Sequence, residues 1–341
     1  MQSEAPVVSP ERAVLGSPLH GFYRLGGELI ALLYIAIIAE IAWATGAFYV
    51  LFPELGALSH DVMTRPQGRW ANAPLLLAIT PVLTGVVGVV ITRSLPYGYL
   101  SVLLTVGGAI AVVLALRSPV APAISAGLLP LVLGVKSWWY PPAIALGTVM
   151  LAMLSVPWKK YCVTHSAPLP AEREDLIDDL IEMTPSGYGW LLVLMAFVAV
   201  AVFFVKLTGL RFVLFPPLVV IGFEMLGHTE ICPWAKKPLR LPLACFLTAF
   251  GGFLACRFLG VTPISAACSM AWGIAVLRAC DLHVPPALAV ALLPLVMEKP
   301  TLAYPFAVVI GTTLLSLWFL AYQRILRALN SPWASRASAR R

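Results

Sequence analysis

The sequence predicts an all-α polytopic membrane protein made of two homologous halves, each with about six transmembrane segments, some of them short or broken. Three observations carry this reading. Of 341 residues, 60% are hydrophobic and only 11% are charged, with a mean hydropathy of +0.89, whereas a soluble domain carries about a quarter charged residues. The run TGAFYVLFP at 45–53 returns as TGLRFVLFP at 208–216. Apolar stretches of crossing length recur on both sides of one acidic segment.

The repeat organises the chain. With an offset of 163, Thr45, Gly46, Val50, Leu51, Phe52 and Pro53 recur as Thr208, Gly209, Val213, Leu214, Phe215 and Pro216. One added residue then shifts the register, so that Gly88 pairs with Gly252, Tyr140 with Tyr304 and Gly147 with Gly311. The halves are 28–158 and 187–326. Residues 1–27 read as a cytoplasmic N-terminal tail without a cleavable signal, and 327–341 as a basic C-terminal tail. Between the halves, 159–186 is an acidic amphipathic linker, whose Leu176, Ile177, Leu180 and Ile181 spacing suggests a surface helix with its acids in solvent.

Each half splits into six segments at its Gly and Pro interruptions: 28–45, 47–63, 74–93, 97–116, 120–134 and 138–157, with counterparts at 187–206, 210–226, 239–257, 262–278, 284–297 and 301–324. With both termini cytoplasmic, only Arg93, Lys136, Lys206, Arg211, Arg257 and Lys299 of the 23 basic residues lie outside. Ten crossings give a weaker asymmetry, so the positive-inside rule favours twelve and two halves of the same orientation. The expected location is a bacterial inner (plasma) membrane.

In the second half HVPPALAVALLPLV (283–296), a proline-bearing turn and a helix ending LAYQR (320–324) resemble the signature of the HPP integral membrane proteins. FPELGA at 52–57 is similar to that family's upstream FPxLGA-type segment. Val284 separates His283 from Pro285 and Pro286, and the first half has SPVAP without a histidine. The chain therefore resembles two HPP units fused. Plant and cyanobacterial members are associated with nitrite movement, so the resemblance implies transport of nitrite or a related anion. FPELGALSHDVMTRPQGRW with Gly85 and Gly88 is also similar to fusaric-acid resistance type exporters, which implies aromatic carboxylic acids as the alternative cargo.

The residues themselves offer no catalytic constellation, since HExxH, GxSxG and GxxxxGK are missing and the five histidines are dispersed. No enzyme, cofactor or metal is expected. The scattered basic residues set nucleic acid aside. The informative pair is 120–134 and 284–297, two short segments opened by proline in matching places, which is where a carrier places its central site. Free N–H groups at their starts would attract an anion. The substrate-binding candidates are Pro122, Pro285, Pro286 and the titratable His283, with Thr45 and Thr208 satisfying backbone groups at the two helix breaks. Glu40, in LLYIAIIAEIAW, is the proton-coupling candidate, because an acid in such a helix ordinarily faces the bundle interior. The reading is a carrier of a small anion in a lipid bilayer, with homo-oligomerisation left open; the rival is a non-transporting scaffold or complex subunit.

Overall fold

A computed structural model describes residues 18–165 and 173–329. Most of both tails and residues 166–172 of the linker lie outside the described residues. The described chain is helical, with no strand, in the order α1 (Pro18–Thr45), α2 (Leu55–Thr64), α3 (Pro74–Ser94), α4 (Tyr99–Ala115), α5 (Ala123–Leu133), α6 (Tyr140–His165), α7 (Arg173–Ile181), α8 (Gly189–Thr208), α9 (Pro216–Gly227), α10 (Arg240–Leu259), α11 (Pro263–Ala279), α12 (Pro286–Leu292) and α13 (Ala303–Leu329). Six of these are long and apolar enough to cross a membrane: α1, α3, α6, α8, α10 and α13. The 17 residues of α4 and of α11 sit at the short limit for crossing. The protein is an all-α polytopic membrane protein.

Helices α1 and α6 overrun the expected segments, starting ten residues earlier and ending eight later. Apolar composition marks where lipid ends, not where helical hydrogen bonding ends.

The path of the chain follows from a few contacts. Trp158 donates to the Met63 carbonyl at 2.8 Å, which also lies against Gly27, so the start of α1, the end of α2 and the latter part of α6 meet at one face. The linker helix α7 joins them there through Arg65, and we call it the linker face. At the opposite face Arg93 donates to the Lys136 carbonyl, and Arg211 and Lys206 stack over Tyr97 and Tyr99. The two halves thus turn at the same level, with the same orientation.

Besides the linker helix α7, four helices are too short to cross: α2, α5, α9 and α12. The ten residues of α2 rise about 15 Å, half of a hydrocarbon core, and their passage is completed by a 3-10 turn (Phe48–Val50) and the non-helical residues between it and α2. In the second half a 3-10 turn at Arg211–Leu214 precedes α9. Pro53 and Pro216 allow a new helix to begin within the bundle, because a helix's first N–H groups need no internal partner. Leu55–Met63 and Pro216–Leu226 are buried throughout. The four short helices form the centre, and they pack across the halves: α2 lies on α12, and α9 on α5.

Small residues permit this. A Cβ at Gly88 would stand 2.0 Å from the Gly127 carbonyl oxygen, and one at the equivalent Gly252 would stand 1.9 Å from that of Ala291. The tyrosines repeat as well: Tyr140 donates to the Ala126 carbonyl at 2.8 Å and Tyr304 to that of Val290 at 2.7 Å. Even the unusual backbone recurs, with left-handed Gly46 and Gly209 and positive φ at Arg117 and Asp281.

Candidate functional site

At the linker face a cavity of about 430 Å³ opens between the halves. Helices α1 and α2 form one wall with Glu28 and His60, α11 and α12 the other with Arg278 and Pro285, and α7 covers it with Ile177 and Asp178. His283, immediately before α12, lines this space with 28% of its side chain exposed to it. Three positive groups at the cavity have a carboxylate already: Arg278 pairs with Glu28, Lys237 with Asp281, and His283 Nε2 lies 3.0 Å from Asp178. Burial would pull the His283 pKa down, but Asp178, and behind it Asp61, outweigh this and raise it above that of a free histidine despite Arg65. At Asp281 the Lys237 ammonium lowers the pKa of an exposed carboxyl.

Beside the cavity Arg65 is enclosed by acids. Asp61, Asp179 and Glu182 lie 2.7 Å from its guanidinium, with Asp175 at 3.6 Å and Asp178 at 3.8 Å. One guanidinium cannot neutralise so many carboxylates in a buried place. Burial, and then repulsion from Asp61, raise the Glu182 pKa in opposition to Arg65.

This corrects the reading of the linker. Of its described acids, Asp178 and Glu182 are buried with Ile181 and Asp175 and Asp179 are half-buried against Arg65, while Leu176 and Leu180 are exposed. Arg65, a residue distant in sequence, reverses the expected orientation because a buried cation needs carboxylates more than two leucines need cover.

Of the sequence-derived site residues, the structure brings His283 and Pro285 to the cavity, with Pro286 buried behind them. The helix after Pro285 is only seven residues before it tightens into a 3-10 turn (Leu293–Val296), so its dipole is small. Pro122 is buried at the start of α5 and does not line this cavity. Thr45 and Thr208 lie at the opposite face, where each hydroxyl donates back to the preceding turn and accepts a backbone N–H, as expected for helix breaks. Glu40 does not face the interior. It is exposed on the outer surface of α1, beyond Leu33 and Ile37, while Tyr34, Ile38, Ala39 and Ala42 turn inward. A helix that is apolar on every side gives no signal of its rotation.

Acids do lie inside, Asp61 of α2 and Glu224 of α9 among them, and the most fully enclosed is Glu54. It precedes α2 at the helix break, is 0% exposed, and has both carboxyl oxygens without a hydrogen bond of good geometry. The Ser125 hydroxyl of α5 is placed to donate to it and has no other partner. Its position near the middle of 47–63, where the other half has Pro217, was the available signal: Glu40 stands only five residues from the end of its own segment.

The chain matches no protein-family model, no curated protein and no solved structure.

Proposed function

We propose that the protein is a secondary carrier of a small anion, built as two fused units of the HPP type. The observation that carries this reading is the meeting of four short helices, two from each half, beneath a cavity open at one face. Broken helices in matching places of two repeats are where carriers bind substrate, because exposed backbone and polar side chains can there meet a ligand out of contact with lipid. His283, Arg278 and Lys237 supply the positive groups, and an arriving anion competes with Asp178 for His283. The linker face is cytoplasmic in this proposal, supported by the excess of Lys and Arg on that side.

Nitrite is the cargo named by the HPP resemblance. The cavity volume of about 430 Å³ also admits an aromatic carboxylate, so both belong in the test. Purified full-length protein in liposomes should take up nitrite, formate or benzoate about tenfold faster than protein-free vesicles. His283→Ala should weaken apparent affinity most near pH 5.5, where imidazolium is populated, and least near about pH 8. Absence of flux for every anion tried, in correctly folded protein, would favour the scaffold reading.

A further inference from the structure

Glu54 has no role in the cavity, yet among the described buried acids it alone has both carboxyl oxygens enclosed without a hydrogen bond of good geometry. It stands where the chain breaks before α2, against short helices from both halves. Neither oxygen makes a hydrogen bond of good geometry, the neighbouring Ser125 hydroxyl is the side chain placed to donate to them, and all three atoms are fully enclosed. The groups facing it from the surrounding elements bring no positive charge. Tyr140 of α6 and Tyr304 of α13 are close enough to feel it, and both donate their hydroxyl protons to backbone carbonyls. Tyr34 of α1 donates to the Gly147 carbonyl, Tyr49 stacks edge-on against Tyr140, and α12 contributes only apolar residues. His60 and Asp61 lie toward the other end of α2, about 10 Å along its axis. No Lys, Arg or His among the described residues acts on Glu54.

An ionised carboxylate in such a place would lack both water and a counter-charge, at a cost of several kcal/mol. We propose that Glu54 is the proton-binding site of the carrier: its carboxyl takes up one proton, travels neutral, and releases that proton at the opposite face together with a monovalent anion. One proton and one anion cross in each turnover, so no net charge moves. This rests on the carrier reading for its transport arm and stands apart from it in a spectroscopic arm.

The transport arm uses nitrite and full-length protein in liposomes. The parent should accumulate nitrite along an inward proton gradient, indifferent to a potassium diffusion potential. Glu54→Gln should lose gradient-driven accumulation about tenfold or more, with nitrite exchange in preloaded vesicles reduced much less, and its residual uptake should become sensitive to potential. Accumulation in Glu54→Gln that follows the proton gradient as in the parent would overturn the proposal. The spectroscopic arm is infrared difference spectroscopy between acidic and alkaline pH. A protonated-carboxyl C=O band should be present in the parent, absent in Glu54→Gln and displaced in Ser125→Ala. Identical spectra for parent and Glu54→Gln would overturn the proposal even if nitrite is not the cargo. Should Glu54→Gln not fold, Glu54→Asp decides: the band must move in frequency, and an unmoved band counts against Glu54.

Discussion

The two halves place their backbones alike and their chemistry differently. Tyr140 and Tyr304, Gly88 and Gly252, and the left-handed Gly46 and Gly209 hold equivalent places. Some polar residues repeat too, Asp61 as Glu224 and Thr84 as Thr248, while others do not. Glu54 corresponds to Pro217, Arg65 to His228 and His283 to Pro119. The lesson is that helix interruptions and close packing are requirements of the scaffold, repeated because each half must solve the same burial problem. Ionisable groups are expensive inside a bilayer, so one copy serves where function needs only one.

The largest expected break in this comparison is Arg65→Met. It removes the counter-charge that Asp61 and Glu182 share, which costs about 3–5 kcal/mol. The side chain of the equivalent His228 makes one hydrogen bond, to the Met183 carbonyl at 3.0 Å, so His228→Ala should cost about 1 kcal/mol. Thermal unfolding in detergent measures the difference, and equal losses would contradict the asymmetry of the two halves.

Next in size are Gly88→Ala and Gly252→Ala. Each Cβ would meet a backbone carbonyl that cannot retreat without moving a short helix, at a cost of about 1–3 kcal/mol. Because the two clashes are alike, the two losses should agree within about 0.5 kcal/mol. Unequal losses would show that the scaffold is less symmetric than its contacts.

A smaller effect concerns pH at α7. A histidine whose folded pKa is raised stabilises fully below its unfolded value of about 6.5, and that contribution fades as pH rises through the folded value. Glu182, raised by burial, acts in the same direction, because ionising it in place costs docking energy as pH rises above its ordinary range. Amide exchange across α7 should therefore accelerate as pH is raised, after correction for intrinsic exchange, and His283→Gln should flatten part of the dependence. A flat parent profile would detach His283 from the docking of α7.

The smallest expected effect is Glu40→Gln, within about 0.5 kcal/mol in stability and without change in the pH dependence of nitrite flux. Any marked change would return Glu40 to the mechanism.

Much of the fold was legible in the sequence because hydrophobic length and repeated Gly and Pro report directly on crossings and breaks. The site was legible only in part. His283 stood out as a titratable group beside a proline-opened segment, but its partner Asp178 comes from a helix more than a hundred residues earlier. The ion pairs of Arg65 depend on how α7 docks, which no local pattern encodes. The outward turn of Glu40 is not legible in the sequence because the inward face of α1 is set by α2 and α11, not by its own composition.

The crossed packing of the short helices also bears on how the protein is made. When α2 enters the membrane, the surface that will cover it has not been synthesised: α12 follows about 220 residues later, or about 10–45 s at ordinary rates of elongation. Throughout that interval the nascent first half holds an acid-bearing half-helix without its final neighbour. Neither half is a finished folding unit, so assembly must be completed by the last residues inserted. Chains interrupted before Pro286 should be recognised by membrane quality control as incomplete.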